Sequence, residues 1–139
     1  MVVKIKLLPG GTVPTRGSRE AAGYDIYAAE DKEIEPMTLE NIKTGVCLEM
    51  TPGHYADIRG RSGLAFKRGL ICIHGLIDSD YRGEIRVMLF NASNETQRIY
   101  KGNRIAQILF GHHEVADFDM TENLNETERG ESGFGSTGV

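Results

Sequence analysis

The chain of 139 residues is long enough for one domain and for a core that hides roughly two-thirds of the unfolded surface. With 40% hydrophobic residues it holds no run near the ~18–20 apolar residues of a membrane span, and its start, MVVKIKLLPGG, alternates lysine with apolar residues as no signal peptide does. A net charge of −4 argues against non-specific nucleic-acid binding, so an anionic ligand would have to be met by local basic residues.

Period-2 alternation dominates from the first residues. VKIKL places Val3, Ile5 and Leu7 on one face and Lys4 and Lys6 on the other. AAGYDIYAAE, residues 21–30, reads as a strand carrying Asp25 between two tyrosines. NIKTGVCLEM groups Ile42, Val46, Leu48 and Met50, and YADIR, EIRVMLF, QRIYK and RIAQILF continue the pattern. PGG, TPG, SDYRG, NASN and KGN separate these runs as turns. Many short strands predict an all-β sandwich or barrel. RSGLAFKRG breaks the pattern and predicts one short helix, with Ser62 as its N-cap and Gly69 as its stop. Cys47 and Cys72 lie in apolar runs without CxxC spacing and read as buried, reduced thiols of a protein that is not secreted and is cytoplasmic, or of the nucleus or host-cell interior if eukaryotic or viral. His112 and His113 are adjacent on a strand and so face opposite ways, which disfavours a metal pair. From Thr121 the hydrophobic period is lost. Residues 1–120 therefore read as the β domain and 121–139 as an arm, polar at first and then glycine-rich.

Four internal segments and the arm could carry chemistry. GLIDSDYRGE, residues 75–84, sets Asp78 and Asp80 two apart. They share a face if the strand runs through both, and diverge if a turn starts earlier. On residues alone the segment reads first as a hairpin turn and second as a carboxylate that orients and activates a water. A free aspartate is ionised at neutral pH and can accept a proton, but it needs an electrophile already activated by charge neutralisation. GRSGLAF, residues 60–66, offers that: the planar fork of Arg61, the hydroxyl of Ser62, a close backbone approach at Gly63 and the amides of a helix start. An ordinary helix start explains it equally well. Asp25 is either an exposed acid on a strand or a functional carboxylate. In GNRIAQILF, alternation puts Gln107 on the face of Ile105 and Leu109, where a buried amide needs a partner. The last stretch, RGESGFGSTGV, holds four glycines, each costing about 0.5–1 kcal/mol in a helix or strand, around the lone ring of Phe134.

Taken together and in order, AGYDIYAAE, GRSGLA, GLIDSDYRGE, GNRIAQILF and RGESGFGSTG resemble the five motifs of the trimeric deoxyuridine triphosphatase (dUTPase) family. PTRGS at 14–18 resembles the segment that leads into the first of them. The resemblance covers almost the whole chain. It implies a jelly-roll, β-barrel-like subunit and a homotrimer sharing three active sites. The implied reaction is Mg²⁺-dependent hydrolysis of dUTP to dUMP and pyrophosphate, which limits uracil in DNA and supplies dUMP for thymidylate synthesis. By motif position, Asp78 would orient the water that attacks the α-phosphorus, with Asp80 supporting it. Tyr81 would pack on the deoxyribose where a 2′-hydroxyl would sit. Arg61, Ser62, Gly63 and Gln107 would hold phosphate oxygens, the first three from a neighbouring subunit. Asp25 would act in the metal's outer shell through water. ICIHG would form the uracil-reading hairpin, with Cys72, Gly75 and Ile77 at the base and recognition through main-chain groups. Arg129, Phe134, Gly135, Ser136 and Thr137 would belong to a mobile arm closing over the nucleotide, the ring covering the uracil. The pattern is departed from at Asn103, where Asp is common, at Glu131-Ser132 in the arm, and at Cys72 and His74. Two other readings share the scaffold: a dCTP deaminase-like enzyme, marked by ammonia release, and a non-enzymatic nucleotide-sensing regulator. No nucleic-acid or membrane partner is expected.

Overall fold

A computed structural model describes residues 1–134. In chain order the elements are β1 (Lys4–Leu7), β2 (Thr15–Arg16), β3 (Tyr24–Tyr27), β4 (Lys32–Ile34), β5 (Leu39–Glu49), β6 (His54–Arg59), α1 (Ser62–Arg68), β7 (Leu70–Ile73), β8 (Gly75–Asp78), β9 (Ile85–Asn91), β10 (Gln97–Ile99) and β11 (Arg104–His112). They form a jelly-roll-like pair of antiparallel sheets, ordered β1-β5-β9-β7 and β2-β3-β11-β6-β8, with β10 and β4 pairing separately. Among the described residues no helix is long and apolar enough to cross a membrane.

The core lies between the two sheets. Ile42, Val46 and Leu48 from β5 and Val87 and Leu89 from β9 meet Ile26, Ile58 and Ile108 from the opposite sheet, all at 5% exposure or less. Each such side chain contributes about 1.5–3 kcal/mol by leaving water. Two irregularities decide which residues face in. In β5 the register jumps between Lys43 and Val46 while β9 advances from Arg86 to Ile85. Thr44 and Gly45 are two additional residues, an even number, so the alternation resumes in phase. In β11 the jump spans Arg104 to Ala106 against Tyr27 to Ile26, one additional residue. Ile105 and Ala106 are both buried, and Gln107 is turned to the outer face. Simple alternation had grouped Gln107 with Ile105; the bulge separates them.

Three further expectations change. Ile5 and Leu7 remain exposed, because β1 is an edge strand whose apolar face nothing covers in the protomer. Ser62 is not the N-cap. Arg61 holds that position in extended geometry (φ −101°, ψ 127°), its carbonyl accepts from the amides of Leu64 and Ala65, and no side chain caps the helix. Gly69 does end α1, at φ 65° in the left-handed region. ICIHG is not a hairpin either. β7 pairs with β9 and β8 with β6, so the chain leaves one sheet at Ile73 and enters the other at Gly75.

Asn91 shows how a buried amide is accommodated at the end of β9. Its Nδ2 donates to the carbonyls of Ile34 and Glu95, both at 2.8 Å, and its Oδ1 accepts from the amide and hydroxyl of Ser93. Its hydrogen-bonding capacity is filled, and the turn that leads to β10 is pinned under α1 through the Ala92 amide on the Gly69 carbonyl.

Candidate active site

Two clefts hold half of the residues singled out above. The first, about 220 Å³, is lined by Gly17, Ala21, Gly23, Asp25, Arg61, Ser62, Gly63 and Gln107. Its floor is the outer face of the five-stranded sheet, where Asp25, Gln107 and Arg59 lie opposite one another on β3, β11 and β6. The Asp25 carboxylate is mostly buried between two cations: Arg61 Nε is 3.1 Å from Oδ1 and Arg104 Nη1 is 3.5 Å from Oδ2. Arg61 Nη1 also donates to the Arg104 carbonyl at 3.1 Å. The guanidinium is thereby oriented, and two cations against one carboxylate leave the cleft positive. Gln107 Nε2 donates to the Gly60 carbonyl at 3.0 Å. The first-turn amides of α1, at Ser62 and Gly63, have no intrahelical partner. A Cβ at Gly63 would meet nothing within 4 Å, so packing does not demand glycine there. What its small size leaves open is access to those amides. The cleft suits a polyanion.

The second cleft, about 330 Å³, opens where β7 and β8 part into different sheets. Ile58, Ile73, Gly75, Leu76, Ile77, Tyr81 and Met88 give it apolar walls, and Asn41, Glu84 and Arg86 a polar side. β7 and β8 are both edge strands, so each presents unpaired main-chain N–H and C=O groups. This is the chemistry that reads a planar base by its hydrogen-bonding edge. Gly75, Ile77 and Tyr81 line this cleft as the motif positions imply. Cys72 does not: its side chain is in the core, and burial pushes its thiol up to about 11. An ionised thiol is disfavoured there, and the residue is packing.

At the rim β8 ends at Asp78, and the Tyr81 amide donates to the Asp78 carbonyl across a turn. The strand does not reach Asp80, so the two carboxylates diverge. Both are exposed. The turn is tied by Arg82 Nη1, which donates to the carbonyl of Ser79 at 2.7 Å and of Tyr81 at 3.2 Å. Tyr81 Oη donates to the Glu84 carbonyl at 3.1 Å.

A single protomer does not bring the two clefts together. Asp78 pairs with Tyr55 near the start of β6, and Gln107 with Arg59 at its end. Four residues along the strand and two strand spacings across put roughly 16 Å between them. Among the described residues the arm joins neither cleft: Arg129 Nε donates to the Ser132 carbonyl, and Phe134 is fully exposed. Gly135, Ser136 and Thr137 lie outside the described residues. Reasoning from the sequence missed Arg104 and Gly23. Alternation groups Arg104 with Ala106, opposite Gln107, and only the bulge sets Arg104 and Gln107 on one face; Gly23 left no signal, because its role is space.

The family model for dUTPase matches residues 10–138. The deoxyuridine 5′-triphosphate nucleotidohydrolase of Nautilia profundicola is 46% identical over 141 residues, covering 99% of each chain. That of Mus musculus is 42% identical over 134 residues, covering 96% of this chain and 83% of its own. Among solved structures, the dUTPase of Staphylococcus bacteriophage 80alpha with dUPNHPP superposes with a TM-score of 0.94 at 29% identity, over 99% of both chains. A dUTPase from phage phi11 of S. aureus, solved for its coordination of a structural Mg(II) ion, has a TM-score of 0.85 at 22% identity, over 91% of this chain and 100% of its own.

Proposed function

The chain belongs to the dUTPase family, and on that footing we propose that it hydrolyses dUTP to dUMP and pyrophosphate. The observation that carries this reading is the pair of clefts: one positive and lined by amides, the other apolar with free strand edges and a carboxylate at its rim. The first fits a triphosphate, the second a uracil and a deoxyribose. Asp78 holds the water that attacks the α-phosphorus in line and accepts its proton, with Asp80 supporting the local network. Arg61, Ser62, Gly63 and Gln107 hold the phosphate oxygens. The edges of β7 and β8 bond the base through main-chain groups, and the Tyr81 ring shields C2′. Positioning and charge neutralisation supply most of such catalysis.

The donor set fits Mg²⁺ in one way. Among the described residues no three His, Cys, Asp or Glu side chains group as a metal cage, and both oxygens of Asp25 face arginines. A Mg²⁺ carried on the triphosphate, keeping its waters, would meet Asp25 through one of them. When bound, the ion supplies neutralisation of the phosphate charge.

The separation of the clefts argues that copies of the chain complete one another's sites, and a homotrimer is the assembly we infer. Two features support association. Val115, Phe118, Met120 and Leu124 follow β11 at 86% exposure or more, and an open groove of about 240 Å³, lined by Met1, Val3, Ile5, Val13, Tyr24, Leu48 and Phe110 among others, stands ready for such side chains. Leu39, Ile71 and Ile73 form a second apolar patch on the outer face of the other sheet. Two buried free thiols fit a reducing, cytoplasmic setting.

Pyrophosphate release from dUTP, dTTP, dCTP and UTP, each with and without Mg²⁺, tests the reaction. Release from dUTP should far exceed the others and depend on the ion. Ammonia from dCTP would assign the scaffold to deamination, and no turnover at all would leave only a nucleotide-binding role.

The phosphate cleft gives a second prediction. A Cβ at Gly23 would stand 2.6 Å from Gln107 Oε1 and 3.2 Å from its Cβ. Gly23→Ala should evict the amide from the Gly60 carbonyl and lower kcat/KM for dUTP by about 10–10²-fold, the order of one charge-assisted hydrogen bond. Thermal melting should move little. Unchanged kinetics would remove Gln107 from the phosphate site.

A further inference from the structure

We propose that Gly83 is a specificity-determining positioning residue, the floor that holds the Tyr81 ring in the orientation that rejects ribonucleotides. The inference rests on the dUTP reading above. A Cβ built at Gly83 would overlap Tyr81 Oη and stand 2.5 Å from Cζ and 2.9 Å from Cε2. The ring therefore lies against the glycine backbone with no room for a methyl group between them. Backbone conformation does not call for glycine: Gly83 is absent from the positive-φ residues, so alanine is admissible to the main chain. What the position demands is empty space.

The ring has little else to hold it. It is 45% exposed, and its hydroxyl has one partner, the Glu84 carbonyl. That carbonyl is itself fixed, because the Glu84 carboxylate accepts from the Gly45 amide at 3.0 Å and pairs with Arg86 at 3.2 Å, and Ile85 is buried. Glycine below and the hydroxyl bond at the far end define one pose. Any side chain at 83 must lift the ring by about 1 Å to reach ordinary contact distance near 3.5 Å, which also strains the hydroxyl bond. A wall that excludes an added hydroxyl discriminates by only about 10²-fold, so a displaced wall forfeits much of it.

The experiment measures kcat/KM for dUTP and UTP with the full chain, Gly83→Ala, Tyr81→Ala and the double variant. Gly83→Ala should lower the dUTP-to-UTP ratio by about 10-fold or more, and adding it to Tyr81→Ala should lower the ratio no further. An unchanged ratio in Gly83→Ala overturns the proposal. So does an equal further loss in the double variant, since the glycine would then act without the ring. If Tyr81→Ala itself leaves the ratio unchanged, the sugar-site reading fails, and the seat with it. Should Gly83→Ala not fold, the double variant decides. Recovery of folding with the ratio of Tyr81→Ala identifies the ring as what the methyl group strikes; failure to fold shows a backbone requirement and overturns the proposal.

Discussion

Asp78→Asn is expected to lower turnover of dUTP by at least ~10²-fold while the nucleotide still binds. Asparagine keeps the shape of the side chain and removes the charge that draws a proton from water. General-base contributions run about 10²–10⁴-fold. Asp78 is the last residue of β8 and is exposed, so nothing in the core depends on its carboxylate. The melting temperature should hold, and the loss should fall on kcat with KM nearly constant. Asp80→Asn should cost less, because the turn sends that carboxylate elsewhere. Steady-state kinetics with equilibrium dUTP binding checks both. Near-normal turnover in Asp78→Asn would take the base role away from this residue.

Truncation after Glu128 is expected to leave folding and assembly intact and to lower turnover by ~10²–10³-fold, the order lost with one preorganised donor. Residues 129–134 add nothing to the core, and among the described residues their hydrogen bonds are local, from the Gly130 amide to Thr127 and from Arg129 to Ser132. Fixing each residue over a substrate costs roughly 1–2 kcal/mol of backbone entropy. Only contacts with the nucleotide can offset that: Phe134 on the base and Arg129 on the phosphates, with Ser136 and Thr137 in the same proposed role. Such contacts serve catalysis where they strengthen toward the transition state and expel water. Val115, Phe118, Met120 and Leu124, the apolar side chains proposed to join copies, are retained in the shortened chain. Phe134→Ala should do part of the damage. A sharp fall in melting temperature would make the arm structural, and survival of both melting and turnover would deny it any role as a lid.

Period and turn chemistry carried much of the fold into view. Ile42, Val46, Leu48 and Met50 are buried as alternation predicts, and Gly69 stops the helix where its missing side chain permits positive φ. The failures share one cause: alternation tells which residues share a face, while partners distant in sequence decide sheet and register. Nothing within ICIHGLID marks that its halves belong to different sheets. The outward turn of Gln107 comes from a bulge that only β3 reveals. Ser62 resembled a cap by type, yet the extended residue before it was Arg61. Of the site, the motif order was legible and the distance between clefts was not, because that distance follows from the pairing of β6 with β8 and β11.

The two bulges differ in parity, and parity governs which changes of length each strand can absorb. Losing both Thr44 and Gly45 from β5 would shorten a loop-out yet leave Ile42 and Val46 on the same side, so the penalty would be local. Losing Ile105 alone from β11 would restore strict alternation to the strand. Gln107 would keep its outward place, because Arg104 and Ala106 already pair with adjacent residues of β3, and the cost would be the one buried side chain removed at the bulge. The bulge in β11 can thus absorb the loss of one residue and that in β5 the loss of two. Reading frame in the nucleic-acid sense has a counterpart here: outside the bulges a single-residue deletion turns every later side chain of a strand to the other face, and a paired one does not.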